Sequence, residues 1–299
     1  MPSLQFYFFR QMMRILRVHQ GRFPVQDAEA FVRFRRRAER MAGMLMQPPR
    51  GVSVESANVA DIPGDWLVPE NAADDPTLVF LHGGGLLFGW GSPNRKILGN
   101  LAKFSNLRAF GVDYRLAPEH VYPAAHDDCF AVYKRLIELD KRVVLVGESS
   151  GGVLALATLL RARAAGLPQP VMCVLISPIV DFGFTDSRIW QYDDAFIDPK
   201  FLVEMHKHYV GDSDTTQPDL GPMHADLSGL APFFILAGDR ELLRGEAERL
   251  LEAASSSGLE VQCVFWPDVW HAWHLFVPQL PEATKAMKML GDVIRERAT

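Results

Sequence analysis

A serine hydroxyl is a poor nucleophile at neutral pH unless a histidine takes its proton and a carboxylate orients that histidine and steadies its charge. Ser149 is the residue whose surroundings suit this chemistry. It stands in Gly147-Glu148-Ser149-Ser150-Gly151, after the apolar run 143–146 and before a helical segment, so that a strand would turn sharply into a helix at the serine. Such a turn demands glycine on either side, because side chains there would collide with the adjoining strand and helix.

A second glycine cluster, His82-Gly83-Gly84-Gly85, follows the apolar run 77–81. Consecutive glycines let the backbone approach a substrate closely and aim free N–H groups at developing negative charge. The expected oxyanion donors are the amides of Gly83, Gly84 and Ser150, with His82 holding the loop in shape. In a strand–elbow–helix arrangement the acid and then the base follow the serine along the chain. Asp239 and Glu241 compete for the first role, and His271 and His274 for the second. Glu241 reads as a first-turn acid of a helix over 241–256, where the helix dipole favours it.

These ordered motifs resemble the hormone-sensitive-lipase-like α/β-hydrolases, the bacterial family IV esterases, from about residue 77 to the C-terminus. Tyr114-Arg115-Leu116-Ala117-Pro118-Glu119, then Tyr122-Pro123-Ala124-Ala125 and Asp127-Asp128, are similar to that family's stretch after the oxyanion loop. The resemblance implies an α/β-hydrolase fold, with a mostly parallel central sheet, helices on both faces and a helical cap. It implies a carboxylic ester hydrolase that forms an acyl-enzyme and needs neither metal nor organic cofactor. It assigns the triad to Ser149, Asp239 and His271, since the family's acid lies in the loop after the strand 232–237 and its base lies early in the loop after the strand 260–266. His274 is then expected behind the base or in the pocket wall. Glu148 and Ser150 depart from the family's usual Asp or Thr before the nucleophile and Ala after it. Glu148 is expected as a structural acid, fixing the elbow or paired with a buried arginine, while Ser150 needs only its backbone N–H. The family's Asp-Pro-Leu form is absent, and Gly-Asp-Arg-Glu-Leu-Leu resembles a variant of it.

The elements that must position these groups follow from the hydrophobic pattern. From residue 77 onward, short apolar runs alternate with helix-like segments, the pattern of a parallel sheet covered on both faces. Strands are expected at 77–81, 108–114, 142–146, 171–176, 232–237 and 260–266, preceded by an antiparallel pair at 52–59 and 65–68. Helices are expected at 93–104, capped by Ser92 with Pro93 in its first turn, and at 124–139, 150–164, 241–256 and 281–297. Two regions break the alternation, 1–48 and about 181–223. Ligands of open α/β sheets bind beyond the carboxyl ends of the strands, so both regions are expected to form a cap over a catalytic domain spanning 49–299. Phe88, Trp90, Trp190, Phe196 and Trp270, with Trp273 and Phe276, fall in site-bearing segments and suggest an apolar substrate pocket for neutral short- to medium-chain esters.

Composition narrows the partners. A net charge of −5 gives no basic footprint for nucleic acid, and no run approaches the roughly 20 apolar residues of a membrane span. Arg10, Arg14, Arg17, Arg22, Arg33, Arg35, Arg36, Arg37 and Arg40 crowd the N-terminal arm among aromatic and aliphatic residues. The arm is expected to pack its apolar side on the main domain and to solvate its arginines, a membrane-surface helix being the other reading. With no secretory pattern at its start, the chain is expected in the cytoplasm, without stable membrane insertion. Cys129, Cys173 and Cys263 read as ordinary buried thiols, and His206 and His208, two apart, do not suit a metal. A small-molecule ester is the expected substrate, and a homodimer is left open. An amidase or deacetylase would use the same triad, and a non-catalytic receptor on this fold would typically lack the histidine.

Overall fold

In the computed structural model, which describes residues 2–18 and 27–298, eight strands form one twisted sheet. They are β1 (Val52–Val59), β2 (Ile62–Pro69), β3 (Ala73–Leu81), β4 (Leu107–Val112), β5 (Val143–Glu148), β6 (Met172–Ile176), β7 (Phe233–Gly238) and β8 (Val261–Trp266), in the spatial order β1-β2-β4-β3-β5-β6-β7-β8. The β1–β2 and β2–β4 pairings are antiparallel and all others parallel. Every residue of β5, β6 and β7 is buried. Parallel strands covered on both faces have no solvent side, which is why these three read as unbroken apolar runs.

Successive side chains of a strand point to opposite faces, and the core divides accordingly. Val79, Leu81 and Leu145 pack with α4 (Ala124–Glu138), α5 (Gly151–Ala164) and α7 (Arg244–Ser256) on one face. Leu78, Phe80 and Val146 pack with α3 (Ser92–Ser105) and α8 (Pro281–Ala298) on the other. The extended residue that caps α3 is Gly91, one position ahead of the expected Ser92.

The N-terminal arm forms α1 (Leu4–Val18) and α2 (Ala28–Leu45), the latter capped by the Asp27 carboxylate on Ala30 N; Arg22 lies outside the described residues. Phe6 and Met13 of α1 join the α3/α8 core, while Phe31 of α2 joins the other. Arg35 departs from the expected solvated ring of arginines. It is buried, donating to the carbonyls of Leu87 and Ala117 and to the Glu119 carboxylate. Residues 181–223 hold no strand; they contain a short 3-10 turn, Ser187–Trp190, and α6 (Pro199–Val210). No helix of the described residues is long and apolar enough to cross a membrane.

Candidate active site

Ser149 directly follows β5 with φ +52, in the left-handed region where a residue with a side chain is strained. Its backbone is held on three sides: its N–H donates to Ile176 O, and its carbonyl accepts from Gly152 and Ile179. The flanking glycines are sterically required. A Cβ at Gly147 would fall against the Gly151 carbonyl, and one at Gly151 against the Leu81 carbonyl.

His271 Nε2 lies 3.0 Å from Ser149 Oγ, and both residues are almost wholly buried. The carboxylate facing the other imidazole nitrogen is that of Glu241, with Oε2 3.8 Å from Nδ1, and not that of Asp239. Ser177 Oγ donates to the same Glu241 oxygen at 2.7 Å and so fixes its direction. Asp239 is half-buried in the turn after β7, where its Oδ1 accepts from Asp268 N at 2.5 Å and ties that turn to the loop carrying the histidine. The expectation of Asp239 beside the base is therefore corrected to Glu241. The cause is where α7 begins. It starts at Arg244, not at 241, so Glu241 belongs to the preceding turn, is fully buried, and has no first-turn position to occupy.

Burial opposes a charge on His271, but Glu241, and then Glu148 and Asp194, outweigh it and hold the imidazole pKa above its ordinary value. Glu148 is also buried, which favours its neutral form. His274, His271 and the Gly83 amide more than offset this and hold its pKa below the usual carboxylate value. Its side-chain partner is no arginine but His274, whose Nε2 is 3.2 Å from Glu148 Oε1. His274 thus stands behind the elbow.

Asp194 escaped the sequence reading. It is fully buried, and its Oδ1 accepts from Phe196 N and Ile197 N while its Oδ2 accepts from Leu242 N and His271 N, the last two at 2.9 Å. One carboxylate therefore joins the 181–223 segment to the turn bearing Glu241 and the loop bearing His271. Nothing in Tyr192-Asp193-Asp194-Ala195 marks it, since all four partners are backbone amides remote in sequence or without side-chain signature.

The glycine loop is braced from below. Tyr114 stacks on His82 at 4.1 Å and donates from its hydroxyl to His82 O, while Arg115 grips the buried Asp128. Tyr114 and Arg115 of the motif after the oxyanion loop thus act as supports. Ser150 does more than lend its amide. Its hydroxyl accepts from Gly85 N at 3.0 Å and also meets Tyr114. Among the described residues, nothing accepts from the amides of Gly84 or Ser150, whereas the Gly83 amide faces the Glu148 carboxylate.

A cavity of about 390 Å³ opens over Ser149 and His271. Leu16, Phe34, Ala38 and Ala42 line it from α1 and α2, and Phe196, Ile197 and Leu202 from the 181–223 segment. Phe88 and Phe196 stand in its wall as expected of pocket residues. Trp90, Trp190 and Trp270 do not. Trp90 is buried with its Nε1–H on Asp65, Trp270 is buried against Phe6, and Trp190 is 53% exposed. An indole fills more core volume than any other side chain, and two of these three serve that purpose.

Comparisons with known proteins agree with the fold that carries these residues. Residues 78–275 match the family described as having the alpha/beta hydrolase fold. The chain is 33% identical over 264 residues to an acetyl-hydrolase of Streptomyces hygroscopicus, covering 87% of each, and 30% identical to an esterase of Acinetobacter venetianus, covering 81% of each. It superposes with a TM-score of 0.90, at 29% identity over the whole of both chains, on the crystal structure of an esterase from the bacterial hormone-sensitive lipase family.

Proposed function

The chain belongs to the α/β-hydrolase family, in its bacterial hormone-sensitive-lipase-like branch, and is a serine hydrolase; we propose that it cleaves neutral, apolar carboxylic esters of short to medium acyl chain through Ser149, His271 and Glu241. The observation that carries this reading is the line from Ser149 Oγ to His271 Nε2 at 3.0 Å and from His271 Nδ1 to Glu241 Oε2 at 3.8 Å, buried beneath an apolar cavity. At this separation the Glu241 carboxylate still favours a proton on Nδ1 and steadies the imidazolium charge.

With Nδ1 protonated toward Glu241, Nε2 accepts the Ser149 proton as Oγ attacks the ester carbonyl. The amides of Gly84 and Ser150 receive the oxyanion. The Gly83 amide, expected there as well, also faces the Glu148 carboxylate. The imidazolium protonates the leaving alcohol, and water repeats the sequence on the acyl-enzyme. Asp194 holds the acid and base loops at one spacing. We read α1, α2 and the 181–223 segment as the cap that keeps water from the acyl chain. At about 390 Å³ the cavity is at the small end of ligand sites, which favours short and medium chains over long ones.

The test is hydrolysis of p-nitrophenyl esters from acetyl to palmitoyl by the wild type and Ser149→Ala. Turnover that peaks below the decanoyl ester and vanishes in the variant is expected. A folded wild type that cleaves none of the series, or only anilides, would overturn the reading.

A further inference from the structure

We propose that the outward faces of α1 and α2 dock on the surface of an anionic phospholipid bilayer and set the mouth of the Ser149 cavity against the lipid. Positions 4, 8, 11 and 15 run along one side of α1. Leu4, Phe8 and Ile15 on that line are exposed, with Tyr7 beside them, while Phe6 and Met13 on the opposite side are buried. Met41 and Met44 are likewise exposed on α2. Among the described residues, seven of the eleven exposed large hydrophobic side chains come from these two helices. The other four, Val54, Val121, Leu139 and Trp190, are scattered. An apolar surface concentrated in this way marks a contact site.

Charge says what the contact is. The two helices carry eight arginines against two glutamates in a chain whose net charge is −5; Arg35 is buried on Glu119, Arg14 and Arg17 meet Asp193 and Asp198, and Arg33 meets Glu29, so the open basic charge lies chiefly on Arg36, Arg37 and Arg40. Arg33, Arg37, Arg40, Met41 and Met44 share one exposed side of α2, and among the described residues no carboxylate pairs with Arg36, Arg37 or Arg40. Apolar side chains beside arginines on a short helix are the pattern of an element lying in a lipid interface. A second copy of the chain fits poorly, because a two-fold contact through this face would set its arginines against one another.

The face continues into the site. Leu16 is 47% exposed and also lines the cavity, and Ala38 and Ala42 line it from α2, near Met41. A docked chain would therefore receive an ester dissolved in the bilayer without passing it through water. That use rests on the hydrolytic reading above, whereas the docking does not.

The experiment is flotation of the full chain with vesicles of phosphatidylcholine containing about one-third phosphatidylglycerol, and with phosphatidylcholine alone, at low and high salt. The expected result is binding to the anionic vesicles that weakens with salt. It should fall roughly a hundredfold in Arg36→Gln/Arg37→Gln/Arg40→Gln, about tenfold per one or two arginines, and at least roughly tenfold in Phe8→Ser/Ile15→Ser. Both variants should hydrolyse a water-soluble ester as the wild type does, which shows that they are folded. No flotation, equal and salt-insensitive binding to both vesicles, or a dimer that Phe8→Ser/Ile15→Ser splits into monomers would each overturn the proposal. A wild type that floats but cleaves no ester leaves the docking standing and removes the catalytic reading alone.

Discussion

Replacing Glu241 by Gln removes one charge and leaves the shape of the site nearly unchanged, so its effect can be worked from geometry. A carboxylate 3.8 Å from His271 Nδ1 stabilises the imidazolium formed in the transition state by about 4 kcal/mol at an effective dielectric constant of about 20. At about 1.4 kcal/mol per decade this is a loss of roughly a thousandfold in kcat, with KM little changed because the charge develops only after binding. Asp239→Asn should behave differently. Its Oδ1 serves Asp268 N, an acceptor role that the amide oxygen can retain, so a fall of less than about tenfold is expected. The assay is steady-state hydrolysis of p-nitrophenyl butyrate by both variants, with circular dichroism to confirm folding. A Glu241→Gln enzyme retaining a tenth or more of wild-type kcat, beside an Asp239→Asn enzyme reduced a thousandfold, would refute the assignment and restore Asp239 as the acid.

Two further outcomes follow from the same contacts. The base must be neutral to accept the serine proton, and Glu241, Glu148 and Asp194 raise its pKa against the effect of burial. The acid limb of the kcat/KM profile should therefore lie above the ordinary histidine value of about 6.5, with activity lost as pH falls through it, and should move to lower pH in Glu241→Gln. In Asp194→Asn an NH₂ group would face the amides of Leu242 and His271, or those of Phe196 and Ile197, if the ring of contacts were kept. Denaturant unfolding should show a loss of about 2–4 kcal/mol, and kcat should drop about tenfold or more while KM moves little; an unchanged kcat would show that the acid and base loops hold their spacing without it.

Much of this molecule was legible in the chain because certain chemistry demands local sequence. The Ser149 elbow needs small residues where backbone meets backbone, and Gly147 and Gly151 answer that demand. The buried parallel strands read as unbroken apolar runs for want of a solvent side, so the sheet and the order of the serine elbow, the turn after β7 and the loop carrying His271 could be set down in advance. The acid's identity was not legible. Asp239 and Glu241 lie two residues apart in one turn, and only the start of α7 at Arg244, with Ser177 and His271 converging from other elements, decided which of them faces inward. Asp194 was equally hidden, because a carboxylate that binds backbone amides leaves no trace in its partners' side chains. The tryptophans misled for a related reason: a ring that suits a pocket wall suits a core equally well, and the packing of Trp90 on Asp65 and of Trp270 on Phe6 settled the matter. The sequence by itself determined the elements and the residue types the reaction requires, since propensity, periodicity and steric limits act locally. The tertiary structure alone decided which carboxylate meets the base, what the cap touches and which face of the N-terminal helices stays open, since those depend on distances between segments far apart along the chain.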